Sequence, residues 1–251
     1  MNFTNKVAIS TGAASGMGLL FAQNFAELGG NVIMCDVNEA VLNEKVNEIN
    51  EKGKGKAVGV ICDVRSYEQV CNARDTAVKE FGRIDIVVNF AGGYARRMLK
   101  VDGSLDFPDV PIDVFDWGLD VNLKGPFYFA HAVLKVMREQ KSGLIVNIGS
   151  ISGAEGGGSG MEYPTAKAGI MYGLTKSIAQ YGSKHNIRCV CVSPGPVLTR
   201  EDMKYMKTLL GRAAEPQEII DLILFIASEK GQFINGENIL IDGGRNAMQR
   251  G

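Results

Sequence analysis

The stretch TGAASGMG, residues 11–18, follows the apolar run KVAIS (6–10) and opens an amphipathic pattern over residues 17–29. A strand that enters a glycine-rich turn and then a helix is typical of a dinucleotide-binding βα unit, although the glycines alone also fit an ordinary βα turn. In such a unit Gly12 permits the tight turn, Gly16 lets the backbone approach a pyrophosphate, and Gly18 allows close helix packing. The helix N-terminus then directs unpaired N–H groups and a positive dipole end towards the phosphates.

Along the rest of the chain, short apolar runs alternate with longer amphipathic stretches. The runs predict seven strands, at 6–10, 31–36, 56–63, 84–89, 143–150, 187–193 and 238–244. The amphipathic stretches predict helices near 17–29, 38–52, 66–81, 114–140, 162–184 and 216–228. The strands lack polar alternation, as expected when both faces of a parallel sheet are covered. We predict a single α/β domain over residues 1–251, a Rossmann-type, doubly wound, seven-stranded parallel sheet with helices on both faces.

Two long segments interrupt this alternation, at residues 92–113 and 194–214. Long loops within a compact domain are usually functional, and loops at the carboxyl ends of parallel strands border the ligand crevice. Both segments are therefore predicted to form walls of a substrate pocket.

Composition and motifs exclude several classes of protein. The 251 residues are 45% hydrophobic and 22% charged, which argues against disorder. Twenty-seven basic and 28 acidic residues give a net charge of −1, so neither nucleic acid nor an anionic membrane is an expected partner. No apolar run approaches a membrane span, and the sequence MNFTNKVAIS is too polar for a signal peptide, so we expect a cytoplasmic location. No GxSxG, P-loop or HExxH motif points to a hydrolase or kinase.

The five cysteines lack any CxxC spacing, and only two histidines accompany them. We therefore expect no metal site, and instead free thiols that act as small buried hydrophobes in a reducing compartment.

The end of the second predicted strand carries the acidic residue Asp36, 24 residues after Gly12. A carboxylate there can accept hydrogen bonds from the adenosine ribose hydroxyls and repels a 2′-phosphate. No arginine or lysine occurs at 12–18 or 36–38 to compensate. This pattern favours NAD(H) over NADP(H); a solvated strand end or a helix cap is the alternative for Asp36.

The glycine turn combined with YPTAK (163–167) resembles the TGxxxGxG/YxxxK type of the short-chain dehydrogenase/reductase family, over nearly the whole chain. Further family motifs follow in order: Asp63, NFAG (89–92), Asn122 in VNLKG, Ser150 in NIGS, SPG (193–195) with Thr199, and DGG (242–244). The resemblance implies an oxidoreductase that interconverts a secondary alcohol and a ketone by hydride transfer, assembled as a homotetramer or homodimer.

The catalytic residues predicted from this resemblance are Asn122, Ser150, Tyr163 and Lys167. Tyrosine is a weak base with an ordinary pKa of about 10, and a nearby ammonium favours its phenolate. Lys167, four residues on, can supply that charge from the same helix face. Ser150, thirteen residues before Tyr163, would donate a hydrogen bond to the substrate oxygen. In the family, the asparagine that Asn122 matches holds a water beside the lysine.

The resemblance also implies a set of cofactor-binding residues, of which Asp63 and Asn89 have a structural role as their alternative. The set is Gly12, Ser15, Gly16, Met17, Gly18, Asp36, Asp63, Val64, Asn89, Ala91, Gly92, Tyr163, Lys167, Pro194, Gly195, Val197 and Thr199.

The substrate is less well determined by the sequence. Phe90 replaces the second asparagine of the family's NNAG, and the loop after Thr199 is short for the family. Arg96 in the first long loop and Glu155 between Ser150 and Tyr163 are candidate substrate contacts. They favour a small polar substrate: a sugar, a sugar acid or a polyol. The alternatives are a 3-oxoacyl thioester or steroid reductase and, from another class, a catalytically inert protein that senses NAD.

Overall fold

Seven strands make up one sheet in the computed structural model, which describes residues 1–52, 54–158 and 160–248. They are β1 (Val7–Thr11), β2 (Asn31–Asp36), β3 (Ala57–Ile61), β4 (Ile86–Asn89), β5 (Gly143–Ile148), β6 (Ile187–Pro194) and β7 (Asn238–Ile241). Their order across the sheet is β3-β2-β1-β4-β5-β6-β7, and every neighbouring pair is parallel. The predicted fold is therefore confirmed.

Helices connect the strands within the described ranges. They are α1 (Gly16–Glu27), α2 (Glu39–Glu51), α3 (Tyr67–Phe81), α4 (Ala95–Met98), α5 (Ile112–Leu119), α6 (Gly125–Gln140), α7 (Ser152–Glu155), α8 (Glu162–Ala168), α9 (Thr175–Gly182) and α10 (Pro216–Ala227). Proline begins α10, where its missing N–H removes no helical hydrogen bond.

Both faces of the sheet are buried, which explains why the strands read as continuous apolar runs. Ile9, Ile33 and Val87 belong to the core beneath α3 and α6. Their neighbours along the same strands, such as Ala8 and Val88, belong to the core beneath α1 and α10. Each fully buried aliphatic or aromatic side chain contributes about 1.5–3 kcal/mol to folding relative to exposure.

The observed elements differ from the prediction mainly at the carboxyl ends of the strands. A strand was predicted over 143–150, whereas β5 ends at Ile148 because Gly149 and Ser150 turn towards α7. The two long predicted helices, 114–140 and 162–184, are each interrupted by a π-helical stretch, at Asp120–Lys124 and Gly169–Leu174. Such insertions are frequent at functional sites because they realign the helix that follows.

The strand order reverses between β1 and β4, and this creates the crevice expected of a doubly wound sheet. A hydrogen bond across the crevice, from the Ala91 N–H to the Thr11 hydroxyl at 2.9 Å, joins the loop after β4 to the last residue of β1. The glycine-rich turn therefore lies directly beside the NFAG segment.

Candidate active site

One side of the glycine-rich turn packs tightly against protein atoms, and its other side faces open space. Gly12 has a φ of +63°, and a Cβ on it would lie 3.1 Å from the Ala91 Cα. A Cβ on Gly18 would overlap the Gly12 carbonyl oxygen. A Cβ on Gly16, whose φ is +57°, would meet no atom within 4 Å. Ser15, Gly16, Met17 and Gly18 surround the start of α1, whose first N–H groups lack helical partners. This open, donor-lined cradle can receive a phosphate group.

The carboxylate of Asp36 is tied to this turn. Its Oδ2 accepts from the Ala14 N–H at 3.0 Å and its Oδ1 from the Asn38 N–H at 2.9 Å. Asn38 in turn caps α2 by accepting from the Val41 N–H at 3.3 Å. Asp36 is half-buried, so a negative charge sits at the edge of the cradle with lone pairs left for further donors.

Asp63 and Val64 follow β3 on the same side of the sheet. The Arg65 guanidinium contacts the Asp63 carboxylate at 2.6 Å and holds the pKa of that carboxyl below its ordinary value. A ligand that contacts Asp63 would share it with Arg65. Val64 is buried against Gly125, where a Cβ would lie 2.8 Å from the valine Cγ2.

Asn89 lies in a buried polar chain that crosses the sheet. Its Nδ2 donates to the Asn147 Oδ1 at 2.9 Å, and the Asn147 Nδ2 donates to the Thr175 hydroxyl at 3.1 Å. The chain links β4, β5 and α9, which supports a structural role. The Asn89 Oδ1, however, is buried and finds no hydrogen-bond partner in the described ranges, so an acceptor remains for a ligand.

Asn122 fixes the start of the loop that follows β4. The residue is fully buried in the first π-helical stretch. Its Nδ2 donates to the carbonyls of Gly93 and Gly118, and its Oδ1 accepts from the Gly93 N–H, all at 2.9 Å. A Cβ on Gly92 would lie 2.7 Å from that Oδ1 and 3.4 Å from the Lys167 Nζ. Only glycine therefore fits beside this asparagine and lysine.

Ser150, Tyr163 and Lys167 converge at the carboxyl end of β5. Tyr163 is the second residue of α8, and its hydroxyl lies close enough to that of Ser150 for the two to interact. The Lys167 Nζ lies 5.5 Å from the centre of the Tyr163 ring and donates to the Ile148 carbonyl at 2.7 Å. Asn122, which packs beside Lys167 through Gly92, completes the predicted catalytic group.

The pKa values in this cluster are set mainly by burial. Burial raises the pKa of the Tyr163 hydroxyl, and the nearby Ser150 hydroxyl opposes part of that rise. Burial lowers the pKa of the Lys167 ammonium to about 8. Tyr163 is therefore a neutral phenol at pH 7 that can donate a proton to an oxygen also bound by Ser150, next to a cationic Lys167. In the reverse direction, the same groups can accept the proton of an alcohol.

Four cofactor residues predicted after β6 lie where that strand leaves the sheet. Pro194 ends β6, and the Gly195 N–H donates to the Ile241 carbonyl at 3.0 Å. Val197 bridges to Ala214. Thr199, which is exposed, directs its hydroxyl to the Val197 carbonyl at 3.4 Å.

The two residues predicted to contact substrate, Arg96 and Glu155, form hydrogen bonds with other residues of the chain. Arg96 is 3% exposed on α4, and its Nη1 donates to the Leu105 carbonyl at 2.8 Å. Its Nη2 is buried and lacks a partner among the described residues. Glu155, at the end of α7, accepts from the Arg245 guanidinium. Contact of either residue with substrate remains a prediction.

Three site residues were missed by the sequence reasoning. The Tyr94 ring packs edge-on against that of Tyr163, with centroids 6.2 Å apart. Glu162, directly before Tyr163, is 3% exposed and packs against Gly118. Arg245 reaches the site rim from beyond β7. Tyr94 lies in a stretch without periodicity, and no spacing in the sequence connects Arg245 to Glu155.

The described residues offer neither a metal site nor a membrane-spanning helix. They contain no group of three or more His, Cys, Asp or Glu side chains that could hold a metal ion. None of their helices combines the length and the apolar character that crossing a membrane requires. Cys35, Cys62, Cys189 and Cys191 are buried free thiols.

Comparison with known proteins gives consistent matches along the whole chain. A family model described as enoyl-(acyl carrier protein) reductase matches residues 12–246. The chain is 38% identical to trans-4-hydroxycyclohexanecarboxylate dehydrogenase of Sinomonas cyclohexanicum, over 96% of this chain and 93% of that protein. It is 34% identical to 7alpha-hydroxysteroid dehydrogenase of Bacteroides fragilis, over 96% and 95% of the two chains. It is also 34% identical to a 3-oxoacyl-(acyl-carrier-protein) reductase of Thermotoga maritima, over 97% and 99%.

Proposed function

Since the chain belongs to the short-chain dehydrogenase/reductase family and is an oxidoreductase acting on CH–OH groups, we propose that it interconverts a secondary alcohol and a ketone with NAD(H) as cofactor. The observation that carries the proposal is the convergence of Ser150, Tyr163 and Lys167 beside the glycine-rich turn.

The residues present fit a nicotinamide dinucleotide. Gly16 faces open space at the N-terminus of α1, where a pyrophosphate would bind. The carboxylate of Asp36 at the cradle edge supports NAD(H), because its charge would repel a 2′-phosphate. The Asn89 Oδ1, which finds no hydrogen-bond partner among the described residues, offers a further acceptor. When bound, the nicotinamide supplies the hydride acceptor for alcohol oxidation and, once reduced, the hydride donor for ketone reduction.

The proton is handled by this chain's own groups. In ketone reduction Ser150 donates a hydrogen bond to the carbonyl oxygen, and Tyr163 gives its phenolic proton to the same oxygen. Lys167 stabilises the phenolate that remains. In alcohol oxidation the phenolate of Tyr163 takes the hydroxyl proton. The lysine, held by its 2.7 Å hydrogen bond to the Ile148 carbonyl, stays positioned in both directions.

For the substrate we propose a small polar alcohol, with sugars, sugar acids and polyols as the first class. A second candidate is an alicyclic secondary alcohol. It is supported by the exposed side chains of Tyr205, Leu209 and Leu210 in the loop after β6 and by the similarity to a dehydrogenase of hydroxycyclohexanecarboxylate. A larger steroid or acyl thioester is the alternative for the same apolar surface, since relatives with those named substrates also match.

Spectrophotometric formation of NADH tests this proposal. Purified enzyme is incubated with NAD, or with NADP, and a panel of polyols, sugar acids, hydroxycycloalkane carboxylates, hydroxyacyl thioesters and steroids. Turnover by the wild type and its loss in Tyr163→Phe support the proposal, and the panel identifies the substrate class. Binding of NADH with no turnover in any class would favour the inert, NAD-sensing alternative instead.

We further propose a homo-oligomer, a tetramer or a dimer. Phe127 of α6 and Tyr172 of the second π-helical stretch are each 51% exposed, which suits a surface shared between copies. Sedimentation equilibrium of the full chain tests this; a monomer at all concentrations contradicts it.

A further inference from the structure

We propose that Arg245 is a positioning residue that latches the loop after β6 against the wall of the substrate cleft. The proposal rests on the function proposed above, because it assigns that loop, residues 200–210, the role of a lid. The Arg245 guanidinium bridges two otherwise separate segments of the chain. The Arg245 Nε lies 3.0 Å from Glu155 Oε1, and Nη2 donates to Glu155 Oε2 at 3.1 Å. The remaining Nη1 donates to the Lys207 carbonyl at 3.0 Å.

The ion pair between Arg245 and Glu155 lies next to the proposed catalytic residues. Glu155 ends the short helix α7, which begins two residues after Ser150, and Gly156 then turns the chain with a φ of +78°. Glu155 is thus part of the wall between Ser150 and Tyr163, and Lys207 belongs to the lid. Arg245 ties the lid to the wall.

The turn that carries Arg245 is rigid and supports the lid directly. Asp242 accepts from the Gly244 N–H at 2.9 Å and from the Asn246 N–H at 2.7 Å. The Leu210 N–H donates to the Gly243 carbonyl at 3.1 Å. A Cβ on Gly244 would lie 2.9 Å from the Leu209 Cδ1, so the backbone of the turn packs against the lid.

The same turn is anchored to the proposed cofactor site. A Cβ on Gly195 would lie 2.7 Å from the Asp242 Cα, and the Gly195 N–H donates to the Ile241 carbonyl at 3.0 Å. The turn that carries the latch is therefore packed against the end of β6 as well as against the lid.

The ion pair is sheltered enough to matter energetically. The side chains of Arg245 and Glu155 are 24% and 17% exposed, whereas both partners of a typical surface pair are well solvated and contribute little. Forked hydrogen bonds between a guanidinium and a carboxylate are also stronger than single ones. Loss of the latch should therefore shift the lid towards open conformations.

Trypsin cleavage within the lid tests the latch without any substrate. Arg200, Lys204 and Lys207 are exposed cleavage sites on the lid. In Arg245→Gln, mass spectrometry should detect cleavage after these residues about tenfold faster than in the wild type, because lid opening becomes easier. Glu155→Gln keeps the hydrogen bond from Arg245 to the Lys207 carbonyl, so it should raise the cleavage rate less. This variant provides the test if Arg245→Gln folds poorly.

A matched control is available on α3. Arg74 has a side chain 26% exposed and pairs with Asp75 at 2.8 Å, so Arg74→Gln removes a similar guanidinium far from the lid. Equal lid cleavage in Arg245→Gln, Glu155→Gln and Arg74→Gln would overturn the proposal.

The kinetic readout separates the latch from the proposed reaction. With an alcohol found by the substrate panel, Arg245→Gln should raise KM for that alcohol about tenfold while kcat and the Kd for NADH change less than about threefold. Faster lid cleavage with no turnover of any alcohol by the wild type would support the latch and count against the proposed function. If the wild type turns over an alcohol but Arg245→Gln changes neither lid cleavage nor KM, the proposed function is supported and the latch is refuted.

Discussion

Lys167 and Tyr163 stand one helical turn apart on α8, with the lysine Nζ 5.5 Å from the centre of the tyrosine ring. The ammonium lies beside the ring and is itself buried, so its charge can favour the phenolate with little screening by solvent. Its hydrogen bond to the Ile148 carbonyl keeps it there. The proposed proton transfer therefore depends on one charge whose position is fixed by β5.

Tyr163→Phe should abolish turnover. The change removes the phenolic hydroxyl that lies beside Ser150, and loss of a general acid–base group costs about 10²–10⁴ in rate. The Kd for NADH, measured by fluorescence titration, should stay within about twofold because the glycine-rich turn is untouched. The exposed Tyr172 provides the control, since Tyr172→Phe should keep full activity. Retained turnover in Tyr163→Phe would refute its role.

Lys167→Met should move the pH dependence of alcohol oxidation. Oxidation needs the Tyr163 phenolate, so kcat/KM rises with pH, and below pH 8 the cationic Lys167 increases the small fraction of phenolate. Without that charge, the same phenolate fraction is reached only at a higher pH. The acid limb of the profile should therefore shift upward by about one pH unit or more. Lys79→Met on the exposed face of α3 should leave the profile unchanged. An unshifted limb in Lys167→Met would show that the lysine does not tune the tyrosine.

The same lysine should produce a pH-dependent stability that needs no substrate to measure. Its pKa is about 8 in the folded chain and 10.5 ordinarily, so the unfolded state binds more protons between these pH values. The free energy of unfolding should then rise with pH from 8 to 10.5, by up to about 3 kcal/mol. Urea unfolding at a series of pH values checks this. The free energy of unfolding of the wild type minus that of Lys167→Met should rise over that range. A value that stays constant with pH would contradict the lowered pKa.

Asp36→Asn should narrow the preference for NAD over NADP. Asparagine keeps an oxygen that can accept from the Ala14 or Asn38 N–H but removes the charge that would repel a 2′-phosphate. We expect the ratio of kcat/KM values for the two cofactors to fall about tenfold or more. Glu44→Gln, which removes a carboxylate 61% exposed further along α2, is the matched control. An unchanged ratio in Asp36→Asn would mean that its carboxylate does not face the ribose.

The sequence predicted the sheet and helices well because both depend on local patterns. Every strand is rich in apolar residues, and Pro216 marks the start of α10. The π-helical stretches could not be predicted: one extra residue per turn hardly disturbs the apolar periodicity of a long amphipathic helix, so 114–140 and 162–184 each read as continuous.

The candidate site was predictable where its residues share an element or a fixed spacing. Tyr163 and Lys167 lie on one helix, and Ser150 lies two residues after the end of β5. The contact of Arg245 with Glu155 joins residues 90 positions apart, which no local pattern encodes. The burial of Arg96 was likewise hidden, since an arginine reads as a surface residue until a carbonyl such as that of Leu105 is brought to it by tertiary folding.

Gly16 offers the sharpest separation of cofactor binding from stability. Its φ is +57° and a Cβ would project into open space within the cradle; Gly82, at the end of α3, has a φ of +74° and a Cβ there would also meet nothing within 4 Å. Gly16→Ala and Gly82→Ala should therefore each lower the free energy of unfolding by about 1 kcal/mol, from the same backbone strain.

The two alanine variants should differ only in how they bind the dinucleotide. The new methyl group of Gly16→Ala would occupy space that the pyrophosphate needs, so the Kd for NADH should rise about tenfold or more, while Gly82→Ala should bind as the wild type does. Isothermal titration with NADH, alongside urea unfolding of both variants, provides the measurement. Equal Kd values would mean that the phosphates do not lie against Gly16. A much larger stability loss in Gly16→Ala alone would show that its cradle is closed by protein atoms rather than by a ligand.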